Sequence, residues 1–92
     1  MILSFMVIFP LETGSNVVTD AEWQAKAKGL LKGELKRRGI GYRELAAKLA
    51  ALGVPETEQN IANKISRGGF SAVFLLQCLE AVGCKTLATS LD

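Results

Sequence analysis

Residues 57–67 carry the side chains of this chain that are best suited to recognition chemistry. If the segment is a helix, its polar side chains fall on the side opposite Ile61 and Ile65. They are Asn60, Asn63, Lys64 and Arg67. Asn and Arg match the hydrogen-bonding edges of adenine and guanine in the major groove of DNA. The same pattern fits the solvated face of an ordinary small helical domain. The neighbouring elements must therefore distinguish DNA recognition from simple solvation.

Catalytic and metal-binding chemistry have little support in the composition. The 92 residues contain no histidine, which removes the commonest general base and the commonest metal ligand. Cys78 and Cys84 are too few for a structural zinc site and lack Cys-x-x-Cys spacing. We interpret them as buried apolar thiols in a reducing cytoplasm. The glutamates are scattered, and no glycine-rich phosphate loop follows a predicted strand. We expect no enzyme activity, cofactor, metal or small-molecule substrate.

The chain is long enough for one domain with a single core. Its net charge of +2 hides an asymmetry, because all eleven lysines and arginines follow residue 25. From Asp20 onward there are eight acids, so this part carries 11 − 8 = +3. A mild basic excess permits a polyanionic partner but does not require one.

Residues 1–9 are almost wholly apolar and precede a turn-forming stretch. Nine apolar residues are too few for a membrane-spanning helix, which needs about 20, and the features of a signal peptide are missing. Three interpretations of this run are open. It is a β-strand that packs on the helical body or pairs with a second copy of itself. Otherwise it is a hydrophobic arm without regular structure, or an artefact of an upstream start codon. We assign residues 1–19 to this arm or strand and residues 20–92 to a helical domain.

The first predicted helix begins at an N-cap on Asp20 and ends at about Arg38, before Gly39. A buried stripe is expected along it, made of Trp23, Ala27, Leu30, Leu31 and Leu35. Gly29 and Gly33 share one face, where we expect another backbone to approach closely. A row of lysines, Lys28, Lys32 and Lys36, is interpreted as a solvated face.

The second predicted helix spans residues 42–52, and the third runs from a cap at Thr57 to a stop at Gly68. Their expected core positions follow the helical period. These positions are Leu45, Ala46, Leu49, Leu52, Ile61, Ala62 and Ile65.

The fourth predicted helix is capped by Ser71 and runs to about Val82. It is apolar nearly all round, which predicts a place at the centre of the core or in an interface. A short last turn or tail should follow, with Leu87 and Leu91 buried.

The order of elements over residues 42–67 is that of a helix-turn-helix. Gly41-Tyr-Arg-Glu-Leu-Ala-Ala-Lys-Leu49 resembles the second helix of the lambda-repressor-like helix-turn-helix class, and Ile65-Ser-Arg-Gly68 resembles the end of its recognition helix. The run 23–87 also resembles a small bacterial domain family of unknown function that carries the core Asn63-Lys-Ile-Ser-Arg-Gly-Gly-Phe-Ser71. The resemblance implies a compact all-α domain of four to five helices.

What the class resemblance implies for function is binding of double-stranded DNA by a cytoplasmic transcriptional regulator. The side chains in base-reading positions are Gln59, Asn60, Asn63 and Lys64. Those in phosphate-contacting positions are Tyr42, Arg43 and Arg67. A single module binds weakly, so a homodimer on two half-sites is expected. The segment 50–56 is longer than its counterpart in the class, which can tilt the reading helix.

An alternative function is a protein-interaction or oligomerisation module, antitoxin-like or structural, on the same helical scaffold. A fold does not determine a function, and the apolar residues 1–9 together with the modest charge favour this alternative. No membrane partner is expected under either interpretation.

Overall fold

The computed structural model describes residues 17–89 of the chain. Four α-helices follow one another in this range, α1 (Asp20–Arg37), α2 (Tyr42–Ala51), α3 (Glu58–Arg67) and α4 (Ala72–Ala81), and the range contains no strand. The all-α class is therefore confirmed. The strand or arm predicted for residues 1–9 and the predicted burial of Leu91 lie outside the described residues.

Helix α1 begins at Thr19 as its N-cap, and the predicted cap at Asp20 is wrong. The Thr19 hydroxyl accepts a hydrogen bond from the Glu22 amide at 3.2 Å, and the Glu22 carboxylate accepts one from the Thr19 amide at 2.8 Å. This reciprocal arrangement satisfies two amides that would otherwise lack partners. Asp20 lies in the first turn, where its negative charge complements the positive end of the helix dipole.

One hydrophobic core lies where the helices meet, with α3 against α1 and α2, and α2 also against α4. Its buried members are Leu31, Leu35, Leu45, Leu49, Ile61, Ile65, Phe74, Cys78, Leu79 and Val82. The predicted burial of Leu45, Leu49, Ile61 and Ile65 is confirmed, whereas Ala46 and Ala62 are only half-buried. Leu52 is 48% exposed and its predicted burial is wrong, because α2 ends before it.

Trp23 is 55% exposed, so its predicted place in the buried stripe of α1 is wrong. Helix α1 has 18 residues against 10 in each of the others, and its length of about 27 Å exceeds theirs of about 15 Å. Every residue from 20 to 26 is exposed. The ammonium group of Lys26 lies 5.7 Å from the Trp23 ring centroid, which gives the indole a cationic partner at the surface.

The close approach between α1 and another backbone occurs at Gly68, and the predicted role of Gly29 and Gly33 is wrong. A Cβ atom at Gly29 would meet nothing within 4 Å, and one at Gly33 would lie 3.7 Å from the Arg37 side chain. At Gly68 a Cβ would lie 2.7 Å from the carbonyl oxygen of Gln24 in α1. The end of α3 is therefore packed directly on the backbone of α1.

A buried carboxylate, Glu34, ties the end of α1 to the end of α4. Glu34 is only 7% exposed and forms ion pairs with Arg37 and Arg38. The Cys84 thiol donates a long hydrogen bond to Glu34 Oε1 at 3.6 Å, and Arg38 Nη1 donates to the Val82 carbonyl at 3.2 Å. Arg38 thus caps α4, whose last carbonyls have no partner within the helix.

Replacing Glu34 with alanine is expected to lower the free energy of unfolding by about 2 kcal/mol, because Arg38 and the Cys84 thiol lose a buried partner. Urea unfolding followed by circular dichroism measures the change. Glu44→Ala is the matched control, since Glu44 forms only an exposed pair with Lys48 at 3.9 Å, worth about 0.3 kcal/mol. Equal losses in the two variants would contradict this role of Glu34.

The two cysteines are free thiols in different environments. Cys78 is fully buried, and burial raises the pKa of its thiol to about 12, with the nearby Glu56 charge adding to the increase. Cys84 is half-buried, and the Thr86 carbonyl oxygen, 3.1 Å from its sulfur, is a second acceptor within reach of its single thiol hydrogen. The predicted burial of an apolar thiol is confirmed for Cys78.

Candidate nucleic-acid interface

Helix α3 is fixed at both ends and along one face. The Thr57 hydroxyl accepts a hydrogen bond from the Asn60 amide at 3.0 Å, as predicted. Gly68 closes the helix in the left-handed conformation, with its amide bonded to the Ile65 carbonyl at 3.1 Å. Ile61 and Ile65 are both fully buried. These contacts determine which side of α3 faces the solvent.

The exposed face of α3 presents three side-chain amides and one guanidinium group. Its members are Gln59, Asn60, Asn63 and Arg67, and all four are exposed. At about 100° per residue they occupy an arc of about 100° opposite the two buried isoleucines. The sequence pattern predicted Asn60, Asn63 and Arg67 on one side of the helix, and the structure places them there together with Gln59.

Two of these amides are already hydrogen-bonded to each other. Gln59 Nε2 donates to Asn63 Oδ1 at 3.2 Å, across one turn of the helix. Asn63 keeps both donors of its amide nitrogen and one lone pair of its oxygen for other partners. A donor beside an acceptor is the arrangement that binds the edge of adenine, and the contact with Gln59 restricts the rotation of Asn63.

Lys64 lies apart from this face. Its ammonium group pairs with the carboxylate of Glu56 and lies 4.9 Å from the centroid of the Phe74 ring. The Glu56 side chain is only 12% exposed, so the ion pair lies at the border of the hydrophobic core, next to Phe74. The structure therefore does not bring Lys64 together with Asn63 and the other exposed amides.

The connection between α2 and α3, residues 52–57, is attached to the core at two points. The Val54 amide donates to the Leu49 carbonyl at 2.9 Å, and the Val54 side chain packs against the core. Glu56 supplies the second point through its pair with Lys64. The longer approach to α3 noted in the sequence is thus a packed segment.

The start of α2 offers cationic and backbone donors. Gly41 is the N-cap and provides no side-chain hydrogen bond, which leaves the first amides of the helix without a capping side chain. Arg43 is exposed and has no ion-pair partner among the described residues. Tyr42 is half-buried against the core. Two of the three residues predicted to contact phosphate, Tyr42 and Arg43, therefore lie at the positive end of α2.

Lys28 of α1 caps the C-terminal end of α3. Its ammonium group donates to the Ser66 carbonyl at 3.1 Å, which satisfies one of the last carbonyls of α3. The next residue, Arg67, is exposed and has no ion-pair partner in the described part of the chain. Lys28, the first residue of the lysine row that was expected to be solvated, therefore has a structural role. Its contact with Ser66 joins residues far apart in the sequence, and no local pattern reveals it.

Two further features are absent from residues 17–89. No cluster of three or more His, Cys, Asp or Glu residues there is placed to hold a metal ion. None of the four helices is long and apolar enough to cross a membrane.

Residues 23–87 match a protein family described as a domain of unknown function (DUF6471). The matched range contains most of α1 and all of α2, α3 and α4. No curated protein and no solved structure matches the chain. The predicted resemblance to a small domain family of unknown function is confirmed over this range.

Proposed function

The chain belongs to the DUF6471 family, and we propose that it is a DNA-binding transcriptional regulator that reads the major groove with α3. The observation that carries the proposal is the exposed face formed by Gln59, Asn60, Asn63 and Arg67. The proposed fold is a helix-turn-helix of the lambda-repressor-like class, in which α2 and α3 form the motif. The order of α2, a glycine-containing connection and α3 supports it.

Asn60 and Asn63 are the proposed readers of bases, with Gln59 beside Asn63 as its hydrogen-bonded partner. An amide can bind the N6 and N7 positions of adenine at the same time, which discriminates against the other bases. Lys64 reaches a base only after leaving Glu56 and the Phe74 ring. It therefore makes the smallest contribution of the four base-reading residues.

Phosphate contacts are proposed for Tyr42, Arg43 and Arg67, together with the first amides of α2. Helix N-termini bind phosphate because their free amides point outward and the dipole favours negative charge. Contacts of this kind fix the position of the protein on the duplex and carry no sequence information.

The proposal is tested by a fluorescence titration of mixed genomic DNA fragments at low and at moderate salt. Binding should weaken steeply with salt, because each phosphate contact releases a counterion and adds about 0.9 to the slope of log affinity against log salt concentration. Lack of binding at low salt would contradict the proposal, as would an affinity that does not depend on salt.

We also propose that the chain binds DNA as a homodimer, because two half-sites give a useful affinity where one module does not. The outer face of α4 supports this, since it exposes Val73 and Leu76 at helical spacing. Apolar side chains exposed next to each other are typical of an interaction surface. This α4 surface continues from the apolar core-facing side of the same helix.

Replacing Leu76 with glutamate is expected to weaken self-association at least tenfold, because the interface would have to bury a charge. Leu76 is 65% exposed, so the four helices should remain intact by circular dichroism. Light scattering over a range of concentrations measures the association. Leu52→Glu is the control, an exposed leucine at the end of α2. A monomeric parent chain, or equal effects of both substitutions, would contradict the α4 interface.

A second candidate function, a protein-interaction module, is favoured by a groove beside α4. The groove has a volume of about 460 Å³ and lies between α4 and residues 84–89. Leu75, Leu79 and Leu87 are among its lining residues. If the titration shows no DNA binding while light scattering shows an oligomer, this function is favoured over DNA recognition.

A further inference from the structure

Two lysines of α1, Lys32 and Lys36, border the same recess as Tyr42 at the start of α2. The recess has a volume of about 170 Å³, and Leu35 and Ile40 complete its lining. Both lysines are exposed, and they lie one turn apart, about 6 Å along the helix axis. The start of α2 is the part of the proposed interface that contacts phosphate.

The row that these lysines form connects the two ends of the proposed interface. Lys28 is one turn before Lys32, and its ammonium group contacts the Ser66 carbonyl at the end of α3. Lys36 is one turn after Lys32 and lies beside Tyr42. The row therefore runs along α1 from the end of α3 to the start of α2.

No carboxylate within the described residues pairs with Lys32 or Lys36. The acids that form ion pairs are Glu34, Glu44 and Glu56, and they are bonded to other cations. Like charges at i and i+4 repel each other on a helix. Lys36 lies in the last turn of α1, where its positive charge is stabilised by the negative end of the helix dipole. Lys32 lies before that turn, so the dipole does not explain its charge.

We infer that Lys32 and Lys36 contact phosphates of the same DNA whose bases α3 reads, and so extend the phosphate-binding surface from α2 onto α1. The inference rests on the proposed function and adds two positioning residues to it. The two side chains start about 6 Å apart along α1, so each of them can reach a different phosphate of the same strand. A bound backbone also removes the repulsion between the two charges.

The test measures the salt dependence of binding of a labelled mixed-sequence duplex to the full chain and to Lys32→Gln/Lys36→Gln. The slope of log affinity against log salt concentration should fall in magnitude by about 2 in this variant, since two phosphate contacts are lost. The preference for a selected sequence over a scrambled one should stay unchanged, because these contacts carry no sequence information.

Lys26→Gln/Lys85→Gln is the matched control, with the same loss of charge at two exposed positions away from the recess. Its slope should equal that of the parent chain. A parent-like slope for the Lys32/Lys36 variant would overturn the inference, as would equal decreases in both variants. If the parent chain itself fails to bind DNA at low salt, the proposed function fails and the inference falls with it.

Discussion

Alanine in place of Gly68 is expected to lower the free energy of unfolding by about 3 kcal/mol. Two effects add up at this position. Gly68 has a φ of +74°, which costs free energy for any residue with a Cβ. The Cβ would also lie 2.7 Å from the Gln24 carbonyl oxygen, so α1 and α3 would have to separate. Thermal unfolding should show a decrease in Tm of about 15 °C.

Gly39→Ala separates the two effects. Gly39 has a similar φ of +67°, and a Cβ there would meet nothing within 4 Å. This variant should lose only about 1 kcal/mol, the conformational part alone. The difference between the two variants then measures the contact between the end of α3 and the backbone of α1. Equal losses would show that this contact does not stabilise the fold.

Replacing Asn63 with alanine should reduce the preference for a selected DNA sequence over a scrambled one by about 10- to 100-fold, because one bidentate base contact is lost. Replacing Arg43 should instead weaken binding to both sequences and lower the salt slope by about 1. Both residues are exposed, so neither substitution should unfold the domain. Titrations of both duplexes at several salt concentrations measure these effects.

Gln77→Ala is the control for the loss of an amide, since Gln77 lies on α4 and takes no part in the proposed reading face. Its sequence preference should equal that of the parent chain. If Asn63→Ala retains the parental preference, Asn63 does not read a base. If Gln77→Ala loses as much preference as Asn63→Ala, the effect does not come from the α3 face.

Local signals in the sequence were sufficient for the N-caps of α3 and α4 and for the buried isoleucines of α3. Thr57 and Ser71 were recognised as caps, and each accepts the hydrogen bond expected of it. Ile61 and Ile65 are buried because their spacing matches the helical period. The N-cap of α1 has a local signal too, since Thr19 and Glu22 have the spacing of a capping box, a signal that the prediction of Asp20 does not use.

Contacts between distant residues were not predictable in this way. Glu34 is buried because Arg38 and Cys84 meet it at the end of α4, and Lys28 reaches α3 across 38 positions of sequence. Lys64 shares the helical spacing of the exposed amides, yet Glu56 and the Phe74 ring hold its ammonium group on another side. Whether a charged side chain is free for DNA depends on such neighbours, which helical periodicity does not identify.

The most direct test of the reading role of α3 is the change in backbone amide chemical shifts when a short duplex is added to the isotopically labelled full chain. The proposed function predicts the largest changes at Asn60, Asn63 and Arg67, with a second group at Tyr42 and Arg43. The amides of Val73 and Leu76 on α4 should change little, because this face belongs to the proposed dimer interface and not to the proposed DNA-reading face. Changes concentrated on α4, or none at low salt, would contradict DNA reading by α3.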